Sequence, residues 1–276
     1  MCFDLDSSPP VPPVGGAAID TRRLMLTAAD GNEFAAFEAL GAGEGASVLV
    51  LPDVRGLYSF YEELAVRLAE EGHTALTIDY FGRSTETGER GDDFDHMPHV
   101  GQCTFEGVKA DAAAGVAHLR RLDPDRPVFT LGFCFGGSNS WHQAANSLDL
   151  AGAIGFYGHP NRVFPEGATP LLERVGEIES PILGLMGGAD PGIPLEEVDR
   201  WRDALTAAGI ANEIVVYEGA PHSFFDRKHA EFAEESADAW RRVLAFIDRY
   251  SSRGFPSPTA RAHPSGVSGS AQAALP

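Results

Sequence analysis

Residues 131–137 read Leu131-Gly132-Phe133-Cys134-Phe135-Gly136-Gly137, a cysteine inside a Gly-x-Cys-x-Gly frame that follows an apolar run and opens a helical stretch. A sharp strand-to-helix turn lifts its central side chain clear of the sheet and leaves room only for glycine on either side. A thiolate held there can attack a carbonyl carbon. It needs a base to take its proton and an acid to orient that base. Two downstream residues fit these tasks. Asp190 follows an apolar run ending in Gly187-Gly188-Ala189, and His222 lies in Gly219-Ala220-Pro221-His222-Ser223-Phe224-Phe225. Taken singly, these are a turn aspartate before a proline and a loop histidine among aromatics. Taken with Cys134 they make a set, with Cys134 as nucleophile, His222 as base and Asp190 as its orienting acid. The oxyanion formed by attack requires fixed donors, and the backbone N–H groups of Phe135 and Val54 are the candidates.

The elements that must position these groups alternate along the chain. Strands are expected at 24–27 and 33–40 (a hairpin around Asp30-Gly31), 47–51, 74–80, 127–133, 151–157, 181–186 and 212–217. Helices are expected from 59 to about 71, 104–122, 194–208 and about 230–250. Ser59-Phe60-Tyr61-Glu62 offers a capping box for the first helix, and Gly72 offers its end. This β-α order predicts an α/β-hydrolase fold, a mostly parallel central sheet with helices on both faces. The order nucleophile, acid, histidine is the one that fold uses. Ligands then sit at the carboxyl ends of the strands. Residues 1–18 read as a loosely attached Pro/Gly-rich arm, 19–253 as the hydrolase domain, and 254–276 as a low-complexity, disordered tail.

The chain of 276 residues, 43% of them hydrophobic, suffices for one large core. Its 40 acidic and 21 basic residues give a net charge of −19. Such a surface disfavours nucleic acid and anionic membranes as partners. No apolar run reaches the length of a transmembrane helix, and the N-terminus lacks the pattern of a secretory signal. The cysteines Cys2, Cys103 and Cys134 have no Cys-x-x-Cys spacing. A cytoplasmic protein with free thiols and no metal is therefore expected, monomeric or weakly dimeric. Asp92-Asp93-Phe94-Asp95-His96-Met97-Pro98-His99 gathers acids and histidines, but lacks the helical i, i+4 spacing of a metalloprotease and reads as an acidic excursion over the mouth of the site.

The segments Pro52-Asp53-Val54-Arg55-Gly56, Asp79-Tyr80-Phe81-Gly82-Arg83, Gly132–Gly137, Phe156-Tyr157-Gly158, Gly187–Asp190 and Gly219–Phe224 resemble the dienelactone hydrolase (carboxymethylenebutenolidase-like) family over roughly residues 45–250. The resemblance implies hydrolysis of a small-molecule ester or lactone without a cofactor, through Cys134, His222 and Asp190. In that family a glutamate of the first loop binds the resting thiol. Its position here is Asp53, which either gates the thiol or organises its loop. Two arginines of the family hold a substrate carboxylate. Arg83 matches the first, and the second falls at Asp226, with Arg227 beside it. Arg55 either replaces the missing charge or braces the loop. Tyr157 matches a tyrosine lining the pocket, and Tyr80 and Phe81 are candidates for the same cleft. A thioesterase or acyltransferase on this scaffold, and a binding or redox-sensing protein, are the alternative functions.

Overall fold

The computed structural model describes residues 7–14, 19–86 and 94–251. The chain begins with an antiparallel hairpin, β1 (Asp20–Thr27) and β2 (Glu33–Leu40), in the expected register around Asp30-Gly31. There follow β3 (Ser47–Leu51), α1 (Ser59–Glu70), β4 (Thr74–Ile78), the single turn α2 (Met97–Val100) and the long α3 (Phe105–Leu122). Next come β5 (Val128–Phe133), α4 (Phe135–Gln143), β6 (Gly152–Phe156), the short α5 (Leu171–Arg174), β7 (Ile182–Gly187), α6 (Leu195–Ala207), β8 (Asn212–Tyr217) and α7 (Ala233–Ser251). They build one eight-stranded sheet in the order β1-β2-β4-β3-β5-β6-β7-β8, parallel from β4 through β8. This is the α/β-hydrolase fold.

The inner strands are buried on both faces because each face carries its own core. In β3, Val48 and Val50 pack into one cluster with Phe60, Leu64 and Leu68 of α1 and Val243, Phe246 and Ile247 of α7. The alternate residues Leu49 and Leu51 pack into the other with Val108, Ala112, Val116 and Leu119 of α3. Strand periodicity thus sends successive side chains to opposite layers. From β3 the chain moves outward to β4, then crosses back to β5 on the other side of β3. Ligand crevices of open α/β sheets form at such a reversal, and Val54 and Cys134 follow its two strands.

Several local expectations shift. Tyr58, rather than Ser59, is the N-cap of α1, and Glu62 is drawn to Arg23 across a 2.8 Å ion pair rather than to the helix end. Gly72 does close the helix, at φ +91°, and the Thr104 hydroxyl caps α3 through the Gly107 N–H. The N-terminal arm is anchored where it is described. Pro9 and Val11 are buried, and the Val14 N–H donates to Glu70. Residues 254–276 lie outside the described residues. No helix among the described residues is long and apolar enough to cross a membrane.

The turn between β5 and α4 admits no side chain at its flanks. A Cβ on Gly132 would strike the Gly136 carbonyl, and one on Gly136 would strike the carbonyls of Leu51 and Pro52. These are backbone atoms that cannot step aside. Gly136→Ala is therefore expected to destabilise the protein by about 2 kcal/mol or more. Urea unfolding with an unchanged m-value would show it, and a loss under about 0.5 kcal/mol would contradict the tight fit.

Candidate active site

Cys134 occupies the turn with φ 54° and ψ −111°, a conformation that L residues rarely adopt. Its N–H donates to the Phe156 carbonyl at 3.0 Å, which ties the turn to the end of β6. The Tyr157 N–H donates in turn to Leu185 of β7 at 2.8 Å. Behind the turn, Trp141 of α4 is fully buried and its indole N–H donates to the Leu183 carbonyl at 3.0 Å. The thiol therefore sits on a backbone fastened to two neighbouring strands, and the side chain itself is only partly buried.

Asp190 and His222 lie on the loops after β7 and β8. These loops are hydrogen-bonded to each other, Gly188 N–H to the Tyr217 carbonyl at 2.8 Å and Ala189 N–H to the Ala220 carbonyl at 2.9 Å. Asp190 is buried. Its Oδ1 accepts from the Gly192 N–H at 2.8 Å, and its Oδ2 lies 2.5 Å from Nδ1 of His222. That contact assigns the proton of the neutral imidazole to Nδ1 and leaves Nε2 as the basic atom. The Tyr157 ring packs 4.8 Å from the His222 ring, centroid to centroid.

A cavity of about 850 Å³ opens at this point, and Val54, Cys134, Phe135, Tyr157, Asp190 and His222 all contribute to its wall. The structure thus gathers the three candidate reacting side chains, both candidate backbone donors and the expected tyrosine around one space. Phe135 is the first residue of α4, where a backbone N–H has no acceptor within its helix and the helix dipole favours negative charge.

The arginines are elsewhere. Arg83, expected in the cleft, lies outside the cavity wall, because its guanidinium is taken by Asp30 at 2.6 Å and by Asp111 of α3 at 2.7 Å. Arg55 is buried below the site, bridging Asp53 at 2.7 Å and Asp226 at 3.0 Å, with its guanidinium 3.8 Å from the centre of the Tyr58 ring. The Asp53 carboxylate accepts from Arg55 and from the Tyr61 hydroxyl at 2.5 Å. Neither Asp53 nor Arg55 is part of the cavity wall, nor are Tyr80, Phe81 and the exposed Arg227. Tyr80 is buried and donates to the Pro52 carbonyl at 3.0 Å.

Two carboxylates thus face one guanidinium. Burial pushes the Asp226 carboxyl up to about 7, Arg55 opposes this, and Asp53 adds to it. The Oδ1 atom of Asp226 has no hydrogen-bond partner among the described residues.

Sequence reasoning missed much of the cavity's outer wall. Val100, His159, Arg162, Phe164 and Ile193 come from three connections, and at these positions the residues carry no periodic or motif signal. Phe94 to Met97 do lie over the mouth. Asp92 and Asp93 lie outside the described residues, and no cluster that could hold a metal occurs among the described ones.

The fold is that of an α/β-hydrolase, and the candidate residues gather on this one cavity. The dienelactone hydrolase family model matches residues 34–251, and the chain belongs to that family, whose members hydrolyse esters. The carboxymethylenebutenolidase of Rhodococcus opacus is 30% identical over 267 residues, covering 91% of this chain and 97% of its own. The crystal structure of a "Putative Dienelactone Hydrolase" from Klebsiella pneumoniae superposes with a TM-score of 0.74 at 28% identity, covering 85% of this chain and 100% of that one. A dienelactone hydrolase-like promiscuous phosphotriesterase from metagenomic libraries shares the fold, with a TM-score of 0.66 at 22% identity over 86% of this chain and 99% of that one.

The pH dependence of stability tests the buried carboxyl. A native group that holds its proton up to about 7, against 3.8 in its ordinary state, costs stability progressively as pH rises through that window. Asp226→Asn removes this dependence. The difference in Tm between variant and wild type should therefore change between about pH 4 and 7 and level off below it. A difference that is constant with pH would rule out the raised carboxyl.

Proposed function

We propose that this protein hydrolyses an ester or lactone through a thioester acyl-enzyme on Cys134. The supporting observation is the convergence of a positive-φ cysteine and an Asp190-held imidazole on one cavity, at the carboxyl ends of parallel strands. Nε2 of His222 takes the thiol proton, and Sγ of Cys134 attacks the carbonyl carbon. The oxyanion is held by the N–H groups of Val54 and Phe135. As the carbon–oxygen bond of the ester breaks, the imidazolium returns the proton to the leaving alkoxide. Water then loses a proton to Nε2 and attacks the thioester, the carbon–sulfur bond breaks, and the thiolate is regenerated.

Asp190 keeps the ring in the required tautomer and stabilises the imidazolium. Its second oxygen, fixed by the Gly192 N–H, prevents the carboxylate from turning away. Asp53 and Arg55 act as the brace of the loop that carries Val54. The Arg55 N–H donates to Oδ1 of Asp53, and its guanidinium closes onto the same carboxylate, so the short turn is pinned on both sides of Val54.

Cys134→Ala should lower kcat/KM for an activated ester by about a thousandfold or more. Asp190→Asn should lower kcat by about a hundred- to ten-thousandfold with the fold intact, since the imidazole then loses its tautomer control. Rapid mixing with an activated ester, followed by intact-protein mass measurement, should show one acyl group on the wild type and none on Cys134→Ala. Undiminished turnover in Cys134→Ala would refute the thioester route.

A further inference from the structure

The wall of the cavity is mostly apolar. Its inner and outer walls include Phe94, Met97, Val100, Phe135, Phe164 and Ile193, and its volume of about 850 Å³ exceeds the needs of a small lactone. Space of this size and lining buries a body of several rings or a branched chain. The buried cation nearest the nucleophile's loop, Arg55, is only 4% exposed at its side chain and is matched by two carboxylates. Arg83 is matched by two more, Asp30 in the turn of the first hairpin and Asp111 of α3. Among the described residues, no unbalanced positive charge reaches the reacting end from beneath.

The polar groups of the outer wall do not change this. His96 and His159 both have pKa values lowered chiefly by burial, which keeps their rings neutral at physiological pH. Arg162 is exposed at the rim, and its guanidinium lies 5.3 Å from the centre of the Phe164 ring. Water screens a charge so placed, while its flat face adjoins an aromatic surface. Asp95 is exposed on the cavity wall, so an entering carboxylate also meets an acid. The net charge of −19 acts in the same direction at longer range.

We propose that this site, taken as the ester-cleaving centre described above, selects uncharged esters with a bulky apolar or aromatic body and discriminates against esters that carry a carboxylate. Moving a carboxylate into an apolar wall without a partner forfeits its hydration, and no cation at depth among the described residues replaces it. The same wall gains from every apolar group that it covers.

The test compares mono-4-nitrophenyl glutarate with its methyl ester, in which one methyl group removes the charge, by release of 4-nitrophenol from each on the full-length protein. The methyl ester should have the higher kcat/KM by roughly tenfold or more. The preference should persist when salt is raised to about 0.5 M, where surface repulsion is screened but burial is not. Where turnover is slow, the rate of acylation at Cys134, followed by mass, gives the same ratio. Equal rates, a preference for the free carboxylate, or a ratio that salt abolishes would overturn the proposal. Loss of a carboxylate preference in Arg162→Gln would then place an anion site at the rim. Cys134→Ala separates this result from failure of the thioester mechanism, since unchanged hydrolysis of both esters in that variant refutes the mechanism and not the selectivity.

Discussion

The positive φ of Cys134 is the constraint on which the rest of the site depends. A residue in that conformation cannot sit within a strand or a helix, so it marks the point where β5 must stop and α4 must start. The turn closes only because the Gly132 and Gly136 backbones touch and because Gly136 lies against the end of β3. That contact also brings the loop after β3, with Val54, beside the first N–H groups of α4. The same tight packing that exposes the nucleophile therefore places both candidate oxyanion donors, and neither arrangement exists without the other. The strain is offset by the strands around it, since the Cys134 N–H is held by the Phe156 carbonyl of β6, and the next residue there, Tyr157, is held in turn by Leu185 of β7.

The reacting groups were legible in the sequence because each is bound to a local rule. Cys134 is framed by glycines that only a close backbone approach explains, Asp190 follows a strand of buried residues, and His222 follows one that ends in the apolar run 214–217. Most strand ends were found within about one or two residues, the usual slack of any boundary, while β1 begins at Asp20, four residues before the expected 24. The wall of the cavity was not legible. His159, Arg162 and Phe164 belong to a connection whose path is set by packing against distant elements, and no period or motif announces it. The partners of Arg83 and Arg55 were hidden for a related reason. Asp30, Asp111 and Asp226 lie from 28 to 171 positions away in sequence from the arginines they meet. A charge on a loop can be read from sequence, but whether it faces a substrate or a carboxylate of the same chain cannot.

The buried group Asp53–Arg55–Asp226 illustrates how such a pairing acts. Removing three ionisable side chains from water is costly, and an apolar cluster of similar volume would serve stability at least as well. What an apolar cluster lacks is direction. The guanidinium grips the Asp53 carboxylate with two nitrogens, Tyr61 holds the other side of that carboxylate, and the Asp53 N–H returns to the same tyrosine hydroxyl at 3.0 Å. Each bond fixes an angle as well as a distance, and together they fix the plane of the peptide that carries the Val54 N–H. The second acid, Asp226, stands four residues beyond His222 and ties that loop to the first one. One cation thus joins the loop of the candidate oxyanion donor to the loop of the candidate base. Because both of its neighbours are acids, it can do so without lending positive charge to the cavity above. Rigidity of the reacting end and neutrality of the binding end then follow from the same three side chains.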